Sequence, residues 1–107
     1  MIDNRREHIR MGTMIPCALK TDMMNCWGTI VDLSLTGIQV KTYFSMEEWE
    51  PASVTFKINE RFEFADLPGE VQWVRDTDDF HLVGIKFESG FSRERILYAM
   101  KQLIAAA

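Results

Sequence analysis

The chain has 107 residues, 47% of them hydrophobic and 26% charged, with 12 Lys and Arg against 16 Asp and Glu for a formal net charge of −4. That length suits one domain with one core and excludes two; the apolar share excludes a disordered chain, and the negative charge excludes the broad cationic footprint of a DNA or RNA binder. No apolar run approaches the roughly 20 residues that cross a bilayer, and the start Met1-Ile2-Asp3-Asn4-Arg5-Arg6 lacks the apolar stretch of a secretion signal, so a cytoplasmic protein without membrane insertion is expected.

Ile2 to Met11 has no apolar period and reads as an extended arm until something orders it. Its charge is local: in residues 4–10, Arg5, Arg6 and Arg10 stand against Glu7 alone, +2 within a chain of −4, which leaves −6 for the remainder. A small anion suits such an arm better than a duplex. Met14 to Lys20 is the first expected strand, with Ile15, Cys17 and Leu19 on one face and Pro16 calling for an edge position. Thr21 to Asn25 is a turn, and Cys26 to Leu33 is the second strand. The turn Asp32-Leu33-Ser34-Leu35-Thr36-Gly37 leads into Ile38 to Tyr43, where Ile38, Val40 and Thr42 alternate with Gln39, Lys41 and Tyr43.

Ser45 to Pro51 is acidic, with Glu47, Glu48 and Glu50, and reads as a loop or one helical turn. Val54, Phe56 and Ile58 then alternate with Thr55, Lys57 and Asn59, the clearest half-buried strand in the chain. Asn59-Glu60-Arg61 connects to Phe62-Glu63-Phe64. Asp66-Leu67-Pro68-Gly69 is expected to turn into a strand from Glu70 to Arg75, and Asp76-Thr77-Asp78-Asp79 into one from Phe80 to Glu88. Short strands with turns at this spacing predict an antiparallel barrel or sandwich. Helical periodicity occurs once. From Ser92, a fitting N-cap, Ile96, Leu97, Met100, Leu103 and Ile104 form one stripe, with Glu94 early and Lys101 near the end to match the dipole. The stripe fits either the covering of an open barrel end or a partner; packing within the chain is the expectation.

Cys17 and Cys26 have no Cys or His at metal-ligand spacing around them. A disulfide between neighbouring strands is open to them, but reduced, part-buried thiols are expected in the cytosol. His8 and His81 stand alone. With no nucleophile beside an oriented base, no Gly-rich phosphate loop and no metal-ligand cluster, no catalysis, metal or cofactor is expected. Trp27 and Trp73 are assigned to core or rim packing, and Arg75 to a surface strand charge that can lie near a site.

The ordered set of Arg6-Glu7-His8-Ile9-Arg10 (R-x-x-x-R), Trp27-Gly28 followed by Asp32-x-Ser34-x-x-Gly37, Gly69-Glu70-Val71-Gln72-Trp73-Val74, Val83-Gly84-Ile85-Lys86-Phe87 and a terminal helix resembles the PilZ domain family over nearly the whole chain. The resemblance implies a mainly β fold, a six-stranded antiparallel β-barrel of split-barrel type with a C-terminal α-helix. Residues 1–12 would be the arginine-rich binding arm and residues 13–107 the barrel and helix. It also implies the ligand cyclic diguanylate. That molecule carries two phosphodiester charges and guanine edges with acceptors at O6 and N7 and donors at N1 and N2. Arginine's planar fork pairs bidentately with O6/N7 or with phosphate, a role the resemblance gives to Arg6 and Arg10, with Arg5 as a third cation. Asp32 and Ser34, two apart on a strand end, point the same way and take the family's hydrogen bonds to guanine. Gly37 is expected for positive φ or for close approach of a ligand to the backbone. The reading is a cyclic diguanylate receptor that transmits binding to an unidentified partner protein. The alternative is a ligand-independent adaptor of the same fold, working through an acidic face of Glu47, Glu48, Glu50, Asp76, Asp78 and Asp79 or through the helix stripe.

Overall fold

A sheet with one apolar face buries that face by closing on itself, and the alternating stretches of this chain do so. The computed structural model describes residues 10–88 and 93–106. They form β1 (Arg10–Lys20), β2 (Asn25–Ser34), β3 (Gly37–Thr42), β4 (Pro51–Ile58), β5 (Phe62–Asp76), β6 (His81–Phe87) and α1 (Arg93–Ala106). The strands close into a barrel in the order β1-β2-β3-β6-β5-β4, every neighbouring pair antiparallel. This is the expected six-stranded barrel with a terminal helix.

Inside, Ile30, Leu33, Val40, Val54, Ile58 and Phe64 are each at most 1% exposed; burying a side chain of this kind contributes about 1.5–3 kcal/mol. Cys17 and Cys26 point inward as well, and both are free thiols. Cys17 lies opposite Gly28 and Cys26 opposite Leu19, so the two sulfurs are diagonal rather than directly paired. Burial pushes the Cys17 thiol from 9.0 up to about 12, against the opposing effect of a hydrogen bond with the Gly28 backbone.

Four local expectations change. β1 begins at Arg10 rather than Met14, which makes Arg10 a strand residue opposite Ser34 instead of part of a loose arm. Asp66 to Gly69 is not a turn: Asp66 takes φ 51°, its N–H donates to Thr55 Oγ1 at 2.9 Å, and the strand kinks and continues for 15 residues. A short polar residue tolerates the left-handed region inside a bulge as readily as in a turn, so composition alone does not separate the two. Pro16 has no sheet edge to occupy in a closed barrel. The seam between β1 and β4 runs only over Cys17–Lys20, however, so the proline sits where β1 has a single neighbour. Finally, α1 runs on to Ala106, which leaves Lys101 short of its last turn. The Ser92 cap lies outside the described residues.

α1 keeps to the barrel, as the stripe expectation held. Ile96, Ala99 and Met100 are buried, Tyr98 meets Phe62 edge-on at 5.5 Å, and Arg95 lies 4.6 Å over the Phe64 ring while its Nη2 donates to Glu63 O at 2.8 Å. The helix is thereby fastened to the start of β5, at the end of the barrel where the β4–β5 connection turns. No helix among the described residues is long and apolar enough to cross a membrane.

Candidate functional site

The outer face of the sheet becomes concave where two bulges fall on one rung. One interrupts β2 between Ile30 and Asp32. The other interrupts β5 between Val71 and Trp73. A bulge re-aims the side chains beside it, and between these two the register runs straight across four strands: Asp32 opposite Gln39, Gln39 opposite Gly84, Gly84 opposite Trp73. Glycine in the middle of that rung leaves room for the indole. A Cβ on Gly84 would meet Trp73 Nε1 at 2.2 Å, so the ring lies directly on the β6 backbone.

At the carboxyl end of β2, the Ser34 hydroxyl closes the connection to β3. Its oxygen accepts from the N–H groups of Thr36 at 3.3 Å and Gly37 at 3.1 Å, and its proton can reach Gly37 O at 3.1 Å. The hydroxyl is therefore already engaged as a turn former. Gly37 does not take the positive φ that was one of its two expected reasons, and it lines the pocket described below. Its Cβ would come within 2.3 Å of Ile85 O and 3.2 Å of Lys86 Cα, so the glycine lets β3 and β6 approach each other.

Arg10 closes the site from β1. Its Nη2 donates to Asp32 Oδ2 at 3.0 Å, an oxygen that also accepts from Gln39 Nε2 at 3.3 Å. The pair is only partly shielded, with Arg10 51% and Asp32 25% exposed. The pocket so formed holds about 320 Å³ and is lined by Arg10, Asp32, Ser34, Thr36, Gly37, Gln39, Gln72, Trp73, Gly84 and Lys86 among others. Its cations are Arg10 and Lys86 against Asp32, a local excess of positive charge on an acidic protein. Arg75 sits 5.6 Å over the outer Trp73 ring, next to the pocket.

Of the residues singled out in the sequence, Arg10, Asp32, Ser34 and Gly37 share this pocket; Arg5 and Arg6 lie outside the described residues. Gln39, Gln72, Trp73, Gly84 and Lys86 were not singled out as site residues. Alternation along β3 and β6 marks Gln39, Gly84 and Lys86 as facing outward, and the bulge between Val71 and Trp73 lets the consecutive Gln72 and Trp73 both line the pocket, but only the non-local pairing of β3 with β6 and β6 with β5 puts them beside Asp32. Trp73 is a half-buried pocket wall, whereas Trp27 is 68% exposed with only its edge against Phe44. Among the described residues no group of three or more His, Cys, Asp or Glu is placed to hold a metal ion.

A family model described as PilZ domain matches residues 4–104. No curated protein matches the sequence. Among solved structures, the PilZ domain of YcgR from Escherichia coli with c-di-GMP superposes with a TM-score of 0.71 at 14% identity, over 95% of this chain and 91% of that one. The MrkH–c-di-GMP complex of K. pneumonia superposes at 0.77 and 16% identity, over 98% of this chain and 55% of that one. The Bacillus subtilis inhibitor of motility MotI/DgrA superposes at 0.72 and 12% identity, over 95% of this chain and 53% of that one. At these identities the likeness is one of fold, and this chain spans about half the length of the latter two.

Proposed function

The chain belongs to the PilZ domain family, and on that premise we propose that it is a cyclic diguanylate receptor. In this reading the dinucleotide binds on the outer face of the barrel, between Arg5, Arg6 and Arg10 and the strand end Asp32–Gly37, and its occupancy is passed to a partner protein. The observation that carries the reading is the meeting of Arg10 with Asp32 in one pocket across 22 residues of sequence.

Asp32 offers carboxylate acceptors to the guanine N1 and N2 donors. Arg10 offers its fork to O6/N7 or to a phosphate, Lys86 a second cation, and Trp73 a flat face on which a base stacks, worth about 1–3 kcal/mol. Ser34 holds the turn that aims Asp32. The existing Arg10–Asp32 pair does not block this use. A partly exposed ion pair contributes about 0.2–1 kcal/mol, less than the roughly 1–3 kcal/mol of a good bidentate contact to a base, so the ligand can recruit either partner. A cavity of about 320 Å³ lies at the small end of ligand pockets, which span about 300–1,000 Å³. A molecule of two nucleotides overfills it, and Arg5 and Arg6 would supply the remaining wall. No cofactor enters this function.

Isothermal titration with cyclic diguanylate, with GTP and cyclic diadenylate as controls, tests the proposal. Selective binding is expected, weakened tenfold or more, at least about 1.4 kcal/mol, by Arg6→Ala, Arg10→Ala or Asp32→Ala. A ligand at a hundred times its Kd stabilises by about 2.7 kcal/mol. No heat and no rise in melting temperature with excess cyclic diguanylate would overturn the receptor reading in favour of the ligand-independent adaptor.

A further inference from the structure

The end of the barrel away from α1 gathers three connections that are distant in sequence: residues 21–24, 43–50 and 77–80. Register brings them together, with Lys20 opposite Asn25, Thr42 opposite both Gly28 and His81, and His81 opposite Asp76. These segments contain no Lys, Arg or His, and they carry Asp22, Glu47, Glu48, Glu50, Asp78 and Asp79. They are also where the apolar surface is. Of the large hydrophobic side chains that are exposed among the described residues, Met23 (87%), Trp27 (68%), Tyr43 (69%) and Trp49 (63%) lie at this end, which leaves only Met14 and Tyr98 elsewhere.

The aromatic groups are held in place. Gly28 pairs with Thr42 at the end of the β2–β3 ladder, so Trp27 and Tyr43 each follow that last pair outward, and Trp27 is braced edge-on by Phe44 at 5.5 Å. Trp49 takes φ 71°, unusual for a bulky residue. Its N–H donates to Val71 O at 2.6 Å, and the Val71 N–H donates back to Glu50 O at 3.0 Å. Met46, 4% exposed, roots the same loop in the core. Exposed, rigidly presented tryptophan and tyrosine are the side chains that anchor protein interfaces.

We propose that this end of the barrel docks a basic segment of a partner protein that carries apolar anchors. The anchors would seat on Trp27, Tyr43 and Trp49, and Lys or Arg side chains between them would meet the surrounding carboxylates. The charge selects this occupant: an anionic lipid surface, a nucleic acid and a second copy meeting it by the same end would all bring negative charge to a negative rim. The proposal names the partner that the receptor reading leaves open and rests on that reading for its place in signalling. At Trp27 the surface is separate from the pocket, because Trp27 lies five residues along β2 from Asp32, roughly 16 Å at 3.3 Å per residue; Trp49 is nearer, its N–H bonded to Val71 O two residues from Trp73.

The chain has three tryptophans, Trp27, Trp49 and Trp73, so indole N–H signals of the 15N-labelled full chain report on both surfaces in one spectrum. The probes are a synthetic amphipathic Lys–Leu peptide, its Glu–Leu and Lys–Ser counterparts, and cyclic diguanylate. The Lys–Leu peptide is expected to shift Trp27 and Trp49 and leave Trp73 in place. Its affinity should fall tenfold or more in the Trp27→Ser and Glu47→Lys/Glu48→Lys variants and stay unchanged in Arg10→Ala. Failure to shift Trp27 and Trp49, equal shifts from the Glu–Leu or Lys–Ser peptide, or concentration-dependent shifts of these signals without any peptide would overturn the proposal. Peptide shifts at Trp27 and Trp49 with no response of Trp73 to cyclic diguanylate would sustain the docking surface while the receptor reading fails.

Discussion

Gly37→Ala isolates the reason for a glycine at the mouth of the pocket. The added methyl would stand 2.3 Å from Ile85 O and 3.2 Å from Lys86 Cα, both backbone atoms of the paired strand. An ordinary carbon–oxygen contact is about 3.3 Å or longer, so β3 and β6 must part by about 1 Å at this point. Weakening one or two ladder hydrogen bonds costs about 1 kcal/mol each, and overpacking adds about 1–3 kcal/mol. The reduced freedom of the unfolded chain returns about 0.4–1 kcal/mol. The net loss is about 2–3 kcal/mol, which at about 4 °C per kcal/mol for a domain of this size lowers the melting temperature by about 10 °C. Gly12→Ala is the matched control: its nearest atom, Val31 O, is 4.0 Å away, so that variant should be unchanged or slightly stabilised. Melting followed by circular dichroism without ligand decides the matter. A Gly37→Ala protein that melts within about 2 °C of the parent, or a Gly12→Ala protein that loses as much, would refute the close-approach explanation.

Trp73→Ala should keep the fold, since the ring packs outside the barrel, but weaken cyclic diguanylate by about 1–3 kcal/mol, a loss of about 5- to 150-fold in titration; unchanged affinity would remove Trp73 from the site. The Cys17 thiol, pushed from 9.0 to about 12 by burial, stays protonated in the folded chain where the unfolded chain has ionised. Urea denaturation should therefore show its contribution intact below pH 9 and lost as the pH rises toward 12, with a shallower decline in Cys17→Ala. Equal slopes in the two proteins would contradict this. Arg95→Ala removes the hydrogen bond to Glu63 O and the contact with Phe64, and should cost about 1–2 kcal/mol in the same experiment, with hydrogen exchange rising first in α1.

What could be read from the sequence was whatever period and short-range chemistry encode. Val54, Phe56 and Ile58 alternate cleanly, and all three are buried. Asp32 and Ser34 were placed on one strand end because two residues apart means one face. Arg10 was singled out through the family pattern, yet its contact with Asp32 depends on β1 starting four residues earlier than its apolar alternation does. The bulges are the main illegible element. Asp66 carries the same residue type as a turn, and only its bond to Thr55, on the neighbouring strand, tells the two apart. Trp73 and Gly84 are ordinary strand residues until β5 and β6 pair. The exposure of Trp27 and Trp49 contradicts their hydrophobicity, and no local signal marks it.

Six of the 16 carboxylates lie in the three loops without a Lys or Arg among them, and the opposite part of the molecule holds Arg10 and Lys86, so the charge is unevenly distributed. A dianion approaching a chain of net charge −4 is repelled on average, but the field near Arg10 and Lys86 reverses that sign within a few ångströms of the pocket. Such fields govern how fast ligands arrive more than how tightly they stay, and they fade as the screening length shortens to about 8 Å at physiological salt. Raising the ionic strength should thus slow ligand capture and leave its release rate nearly constant. A cationic partner is drawn to the three loops, so the two encounters run along separate lines of approach.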